Sequence, residues 1–201
     1  MKPLSRKDFI IKYYPFVKSI TSGSGIYIQT LFAQAILESQ GKVGNTYLVA
    51  GSTLAKDFNN LFGIKANSSW KGKKVDMNTR EVYSGKDVIV KDAFRVYDSP
   101  EESIKDYISF LKKNPRYERN GVFIAKDYKE QAKALKAAGY ATEPNYAKVV
   151  GDLGDSITKI IKDNNLDALP PFTPSPGTII AKSNIWLLLL LAGTAFYIFK
   201  K

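Results

Sequence analysis

A glutamate beside the apolar face of an amphipathic stretch is the first place in this chain where chemistry could be done. In IYIQTLFAQAILES (26–39), apolar residues fall at Ile28, Leu31, Phe32, Ala35 and Ile36, the spacing of a buried helical face. Glu38 lies seven positions after Leu31, so it projects near that face, close to the C-terminal end of the predicted helix and ahead of Gly41. Burial and the negative end of the helix dipole both disfavour the carboxylate. A raised pKa is what a general acid working near neutral pH requires. Periodicity alone equally admits an ordinary boundary glutamate whose head reaches water.

The rest of the composition narrows the alternatives. There are 201 residues with no histidine and no cysteine. Disulfides, thiolate nucleophiles, Ser-His triads and His- or Cys-ligated metals are therefore excluded. Acid–base work falls to carboxylates, lysines or tyrosines. No carboxylate cluster has metal-ligand spacing, so neither metal nor cofactor is implied. Lys and Arg number 30 against 19 Asp and Glu, a net charge of +11. That excess is spread along the chain and favours an anionic partner, whether nucleic acid, anionic lipid or wall polymer. No basic helix, RNA-binding aromatic signature or zinc motif supports nucleic acid.

The elements that must position Glu38 read as mainly helical. Ser5 offers an N-cap to a helix over FIIKYYPFVKSI, bent near Pro15 and broken by TSGSG (21–25). Ser99-Pro-Glu-Glu102 is a capping box, followed by Ile104, Tyr107, Ile108 and Leu111 on one face. Residues 127–138 form a short helix stopped by Gly139. Tyr146, Val149, Val150, Leu153, Ile157, Ile160 and Ile161 mark a final amphipathic helix. Between them, 79–84 and 88–97 alternate and are rich in β-branched and aromatic residues. They predict a β-hairpin with a three-residue loop at 85–87. The expected class is α+β, mainly α: a helical lobe with a small β-hairpin lobe.

The chain divides near residue 165. Residues 1–165 form the globular part, and LPPFTPSPGT predicts a stiff, extended Pro-rich linker over 166–178. Residues 179–201 follow as a C-terminal transmembrane helix. The uncharged run Ile185 to Phe199 ends in Lys200-Lys201; Lys182 can snorkel and Trp186 can sit in the interface. Lys200-Lys201 predicts a cytoplasmic C-terminus, with the globular part facing outward. The N-terminus carries no pattern of a signal peptide.

Several blocks together resemble a known family. They are AQAILES (33–39), NNLFGIKA (59–66), Trp70-Lys-Gly72, Thr79-Arg-Glu81-Val-Tyr83, FRVYDSPEESIKDYISFL (94–111), Arg116-Tyr117 and GYATEPNYAKVV (139–150). In this order, over roughly residues 6 to 162, they are similar to the bacterial endo-β-N-acetylglucosaminidase family that includes flagellar rod-associated peptidoglycan hydrolases. The resemblance implies a lysozyme-like fold with a saccharide cleft and no cofactor. It implies Glu38 as the catalytic acid and Glu81 as the second acidic residue. Tyr140 would orient an N-acetyl group or intermediate, with Tyr146 a second cleft tyrosine. Asn60, Phe62 and Gly63 would shape the cleft, Gly63 allowing close backbone approach. Trp70 and Tyr83 would stack on sugars.

Bland alternatives stand beside each role. Glu81 can be a solvated hairpin charge, with Asp76, Asp87 and Asp92 as competing carboxylates. Tyr140 can be a core tyrosine, Trp70 a loop anchor and Phe62 simple packing. The chain also departs from the family. Glu38-Ser39 is followed by Gln40-Gly41-Lys42 without the usual tryptophan, a longer segment fills 43–53, and Glu143 stands where aspartate is usual. The implied activity is hydrolysis of the β-1,4 bond after N-acetylglucosamine in peptidoglycan, at a membrane and facing the wall. The rivals are a lytic transglycosylase and a non-catalytic wall-binding or assembly protein. The layout leans toward a bacteriophage lysis protein or virion component over a cellular remodelling enzyme.

Overall fold

The computed structural model describes residues 1–83, 86–170 and 172, with backbone alone over 80–83 and 86–88. The expected membrane segment 179–201, with most of the Pro-rich stretch, lies outside the described residues. Among the described residues, no helix is long and apolar enough to cross a membrane.

Helix α1 (Arg6–Thr21) opens where Ser5 Oγ accepts the Asp8 amide at 3.1 Å, and it continues unbroken through Pro15. Its Phe9, Ile10, Tyr13, Tyr14, Phe16 and Val17 are buried. Helix α2 (Ile28–Ser39) is buried on most of its circumference, including Thr30 and Gln34. That exceeds a single apolar stripe, because α2 packs between α1 and the later helices.

A short hairpin follows α2, with β1 (Gly41–Val43) antiparallel to β2 (Thr46–Leu48). Gly44 turns it at φ +59°, while Asn45 keeps a negative φ, the pattern of a II′ turn. This occupies the segment that departs from the family. Gly41 lies so close to Gly51 that a Cβ on Gly41 would stand 2.4 Å from the Gly51 backbone, which explains glycine there. Helix α3 (Thr53–Phe58), capped by Ser52, leads to Asn59 in the left-handed region.

The large hairpin pairs β3 (Lys74–Tyr83) with β4 (Lys86–Arg95), running from Lys74↔Arg95 to Tyr83↔Lys86. Both strands begin earlier than expected, and Lys86 and Asp87 belong to β4. The connection is thus two residues, not three. Val75, Met77 and Thr79 turn inward and alternate with exposed Lys74, Asp76 and Asn78. The hairpin is fastened to the body by backbone bonds from Ala66 to Ala93 (2.7 Å), Arg95 to Ile64 (3.0 Å) and Tyr97 to Phe58 (3.1 Å).

Helix α4 (Pro100–Lys113) starts at Ser99, whose Oγ accepts the Glu102 amide; Glu102 reaches back to the amide of Asp98 rather than Ser99. Then come α5 (Pro115–Arg119), a 3-10 turn at Val122–Ile124, and α6 (Tyr128–Ala137), capped by Asp127 and ended by Gly139 at φ +75°. Helix α7 (Tyr146–Asp163) packs on α2 and α6. The packed body runs past residue 165. Leu166 is buried, Tyr14 donates to Asp167 at 2.5 Å, and the Phe172 ring lies 5.2 Å from Phe16. The result is mainly helical with two small antiparallel sheets, in keeping with the expected α+β class.

Candidate active site

Glu38 sits one residue before the end of α2, and Ser39 fixes that end. Ser39 Oγ donates to Ala35 O at 2.5 Å and accepts the Ala50 amide at 3.0 Å, while Ser39 O accepts the Ser52 amide at 3.0 Å. The Glu38 side chain enters a cleft of about 390 Å³. Phe62, Gly63, Ile64, Lys65, Asn67, Arg95, Phe110, Arg116, Tyr117 and Tyr140 line it with Glu38. Glu38 is exposed to the cleft, and protein packed around its carboxyl group partly desolvates it. Burial raises its pKa from 4.5 to about 7.

Four tyrosines surround this acid. Tyr140 is half-buried; its ring lies 6.3 Å from Tyr107, 6.3 Å from Tyr117 and 6.0 Å from Tyr146. Phe62 stacks on Tyr107 at 4.1 Å. Burial, with neighbouring tyrosines and Glu38 adding to it, holds the hydroxyls of Tyr107 and Tyr140 well above their ordinary pKa; burial and Glu38 do the same for Tyr146. They remain protonated donors at any working pH. Among the described residues, Tyr107 Oη, Tyr146 Oη, Thr30 Oγ1 and both amide atoms of Gln34 are buried without a hydrogen-bond partner. Thr30, Gln34 and Glu38 follow one another at i, i+4 and i+8 along one face of α2. A column of polar groups therefore runs from the acid into the core.

The remaining expected site residues divide clearly. Phe62 and Gly63 line the cleft, but the space beside Gly63 is open. Its φ of +63° favours glycine, whereas close backbone approach does not call for it. Asn60 is buried: Nδ2 donates to Ile64 O (3.0 Å) and Arg95 O (2.8 Å), and Oδ1 accepts the Ile64 amide (3.1 Å). Its polar atoms hold the cleft wall and are not offered to substrate. Trp70 lies in an adjoining pocket that shares Asn67, Arg95 and Phe110 with the Glu38 cleft. It donates to Lys73 O at 2.9 Å and lies under the Arg95 guanidinium at 4.5 Å.

Glu81 pairs with Val88 and Tyr83 with Lys86, but the side chains of Glu81, Tyr83 and Asp87 lie outside the described residues. Two competing carboxylates are engaged: Asp92 with Lys65 at 2.7 Å and Asp76 with Lys91 at 3.6 Å. Two further clefts flank Tyr14, but the carboxylate there, Asp167, is held by Tyr14 and Lys18, which lower its pKa. Among the described residues, no three carboxylates gather as a metal site would require.

Sequence reasoning missed Tyr107 and gave Arg116, Tyr117, Arg95 and Phe110 no role. Tyr107 falls on an apolar helical face and reads as core. Arg95 is anchored by Asp106 at 2.6 Å, which also accepts from Tyr97 at 2.6 Å. Nothing local in the sequence signals that triangle.

The chain is similar to known proteins over most of its described length. A family model described as mannosyl-glycoprotein endo-beta-N-acetylglucosaminidase matches residues 14–166. The chain is 38% identical over 148 residues to the peptidoglycan hydrolase FlgJ of Salmonella typhimurium, covering 73% of this chain and 45% of that protein. It is 36% identical over 156 residues to the exo-glucosaminidase LytG of Bacillus subtilis, covering 76% and 49%. The chain thus spans about half the length of these relatives. Among solved structures, a truncated glycoside hydrolase domain of Salmonella typhimurium FlgJ superposes with a TM-score of 0.56 at 35% identity. That match covers 77% of this chain and 99% of that one.

Proposed function

This chain belongs to the glucosaminidase family, and from that premise we propose that it hydrolyses the β-1,4 bond after N-acetylglucosamine in peptidoglycan. The observation that carries this reading is Glu38: a partly desolvated carboxyl group with a pKa raised to about 7, set in an aromatic-walled cleft. A protonated Glu38 delivers its proton to the leaving glycosidic oxygen while positive charge develops at the anomeric carbon. Tyr140, protonated and at the cleft wall, orients the substrate's N-acetyl group. The second half of the reaction falls either to Glu81 as base for water or to the N-acetyl group itself as internal nucleophile. In the second route the protein needs no second carboxylate. The Trp70 pocket, continuous with the cleft through Asn67, Arg95 and Phe110, extends the path along a glycan strand.

The uncharged run within 179–201 tethers this activity to a membrane with the catalytic body toward the wall. Membrane fractionation of the full chain and of a form lacking 178–201 tests the tether; a full chain that stays soluble refutes it. For the reaction, purified sacculi are digested and the products resolved by mass spectrometry. Reducing N-acetylglucosamine ends that vanish in Glu38→Gln are expected. Anhydromuramic ends would assign a lytic transglycosylase, and reducing muramic ends would assign the other glycosidic bond.

A further inference from the structure

The cations of the Glu38 cleft are not alike. Lys65 is paired with Asp92 at 2.7 Å and Arg95 with Asp106 at 2.6 Å, so each has its charge matched locally. Arg116 makes no ion pair among the described residues. It is nevertheless held in place: Nη2 donates to Tyr117 Oη at 2.6 Å, and the guanidinium lies 4.7 Å from the Tyr117 ring centre. Tyr117 is itself fully buried, so this support is rigid. A Cβ built on Gly139 would lie 3.8 Å from Arg116 Nη1, so the arginine adjoins the turn that presents Tyr140. The charge does not serve Glu38, whose pKa is raised by burial with no cation opposing it. An oriented guanidinium with uncompensated charge and free N–H groups, exposed in a ligand cleft, is suited to a planar carboxylate held by two hydrogen bonds.

We propose that Arg116 is a carboxylate-binding position that reads the acidic substituent of the wall glycan. It would thereby favour peptidoglycan over neutral N-acetylglucosamine polymers. This rests on the peptidoglycan reading above. The carboxylate has two sources: the peptide stem in intact wall, and the lactyl ether in glycan stripped of its peptides. The chemistry recognised is the same in both.

The test measures binding to the full chain carrying Glu38→Gln, so that it stands apart from turnover. Calorimetry compares that protein with the same protein also carrying Arg116→Met or Arg116→Lys. Three soluble glycans serve as probes: peptide-bearing, peptide-stripped with free lactyl carboxylates, and stripped with those carboxylates converted to neutral amides. Methionine is an unbranched side chain of comparable reach that removes the charge and the N–H donors. Arg116→Met is expected to weaken the acidic glycans by about ten-fold or more relative to the amidated one, as loss of a charge-assisted pair predicts. Arg116→Lys should fall between. Selective loss on stripped glycan places the carboxylate on the lactyl group; loss on peptide-bearing glycan alone places it on the stem. Equal loss on all three probes makes Arg116 a structural residue and overturns the proposal, as does no loss on either acidic probe. Failure of the glucosaminidase reading would show separately, in the end groups of digested sacculi.

Discussion

Glu38 is held by the fold in a form that water would not favour. Its pKa is about 7 in the folded protein against an ordinary 4.5, so between those values the folded chain binds the proton more tightly than the unfolded one. Its contribution to stability is complete below about pH 4.5 and is lost as pH rises through about 7. Glu38→Gln removes that dependence. Thermal midpoints followed from about pH 4 to about pH 8 should show the variant gaining on the wild type as pH rises. A constant difference would mean that the carboxyl is not perturbed. If Glu38 is the proposed acid, kcat/KM should decline as pH rises through about 7, and Glu38→Gln should lower kcat by about 10²–10⁴-fold while the protein stays folded.

Gln34, one turn below Glu38, is fully buried with both amide atoms unpartnered. Replacing it with leucine, of similar volume, removes a desolvation penalty of about 1–3 kcal/mol. Gln34→Leu should therefore raise the thermal midpoint by a few degrees. A fall would show that internal solvent satisfies the amide. Glu38 was legible from periodicity and the family blocks together. Gln34 and Tyr107 were not, because at helical spacing a buried polar group beside an acid looks the same as core.

At the scale of elements, the site depends on how α2 ends. Ser39 ties the helix end to Ala50 and Ser52, and Gly41 and Gly51 pass at a distance no side chain permits. Gly41→Ala should destabilise by about 1–3 kcal/mol or more through overpacking, and should displace the helix end that carries Glu38. Chemical denaturation with parallel activity measurement checks both; unchanged stability would mean that β1–β2 shifts freely. The caps at Ser5 and Ser99 and the stop at Gly139 were readable because each signal is local. The β1–β2 hairpin was not. Three residues per strand give no usable alternation, and pairing partners are chosen in space. The β3–β4 strands were recognised but misplaced at both ends, since Lys74, Asp76 and Lys86 pair by backbone hydrogen bonds that hydropathy does not report.

For the whole molecule, side-chain contacts with the body continue just past the expected boundary near 165. Leu166 contributes about 1.5–3 kcal/mol by burial, and Asp167 partners the Tyr14 hydroxyl. A fragment of residues 1–165 should be less stable than 1–172 by at least that amount; equal thermal midpoints would place the boundary where the sequence first suggested. The net charge of +11 should make wall binding weaken as salt rises, because screening shortens to about 3 Å at 1 M. Sedimentation with purified sacculi at low and high salt measures this.

The sequence by itself determined that histidine and cysteine chemistry are excluded and where the five longer helices lie, and it singled out Glu38 as the candidate acid. These follow from composition and from spacing within one element, which the chain carries locally. Only the tertiary structure decided which groups gather around Glu38, from α2, α4, α5 and the Gly139–Tyr146 turn. Only it showed that Asp76 and Asp92 are paired with lysines, that Asn60 serves the fold, and that Arg116 has no ion pair among the described residues. The reason is physical. Ion pairing and burial depend on distances between residues far apart in the chain, and those distances are set when the helices pack.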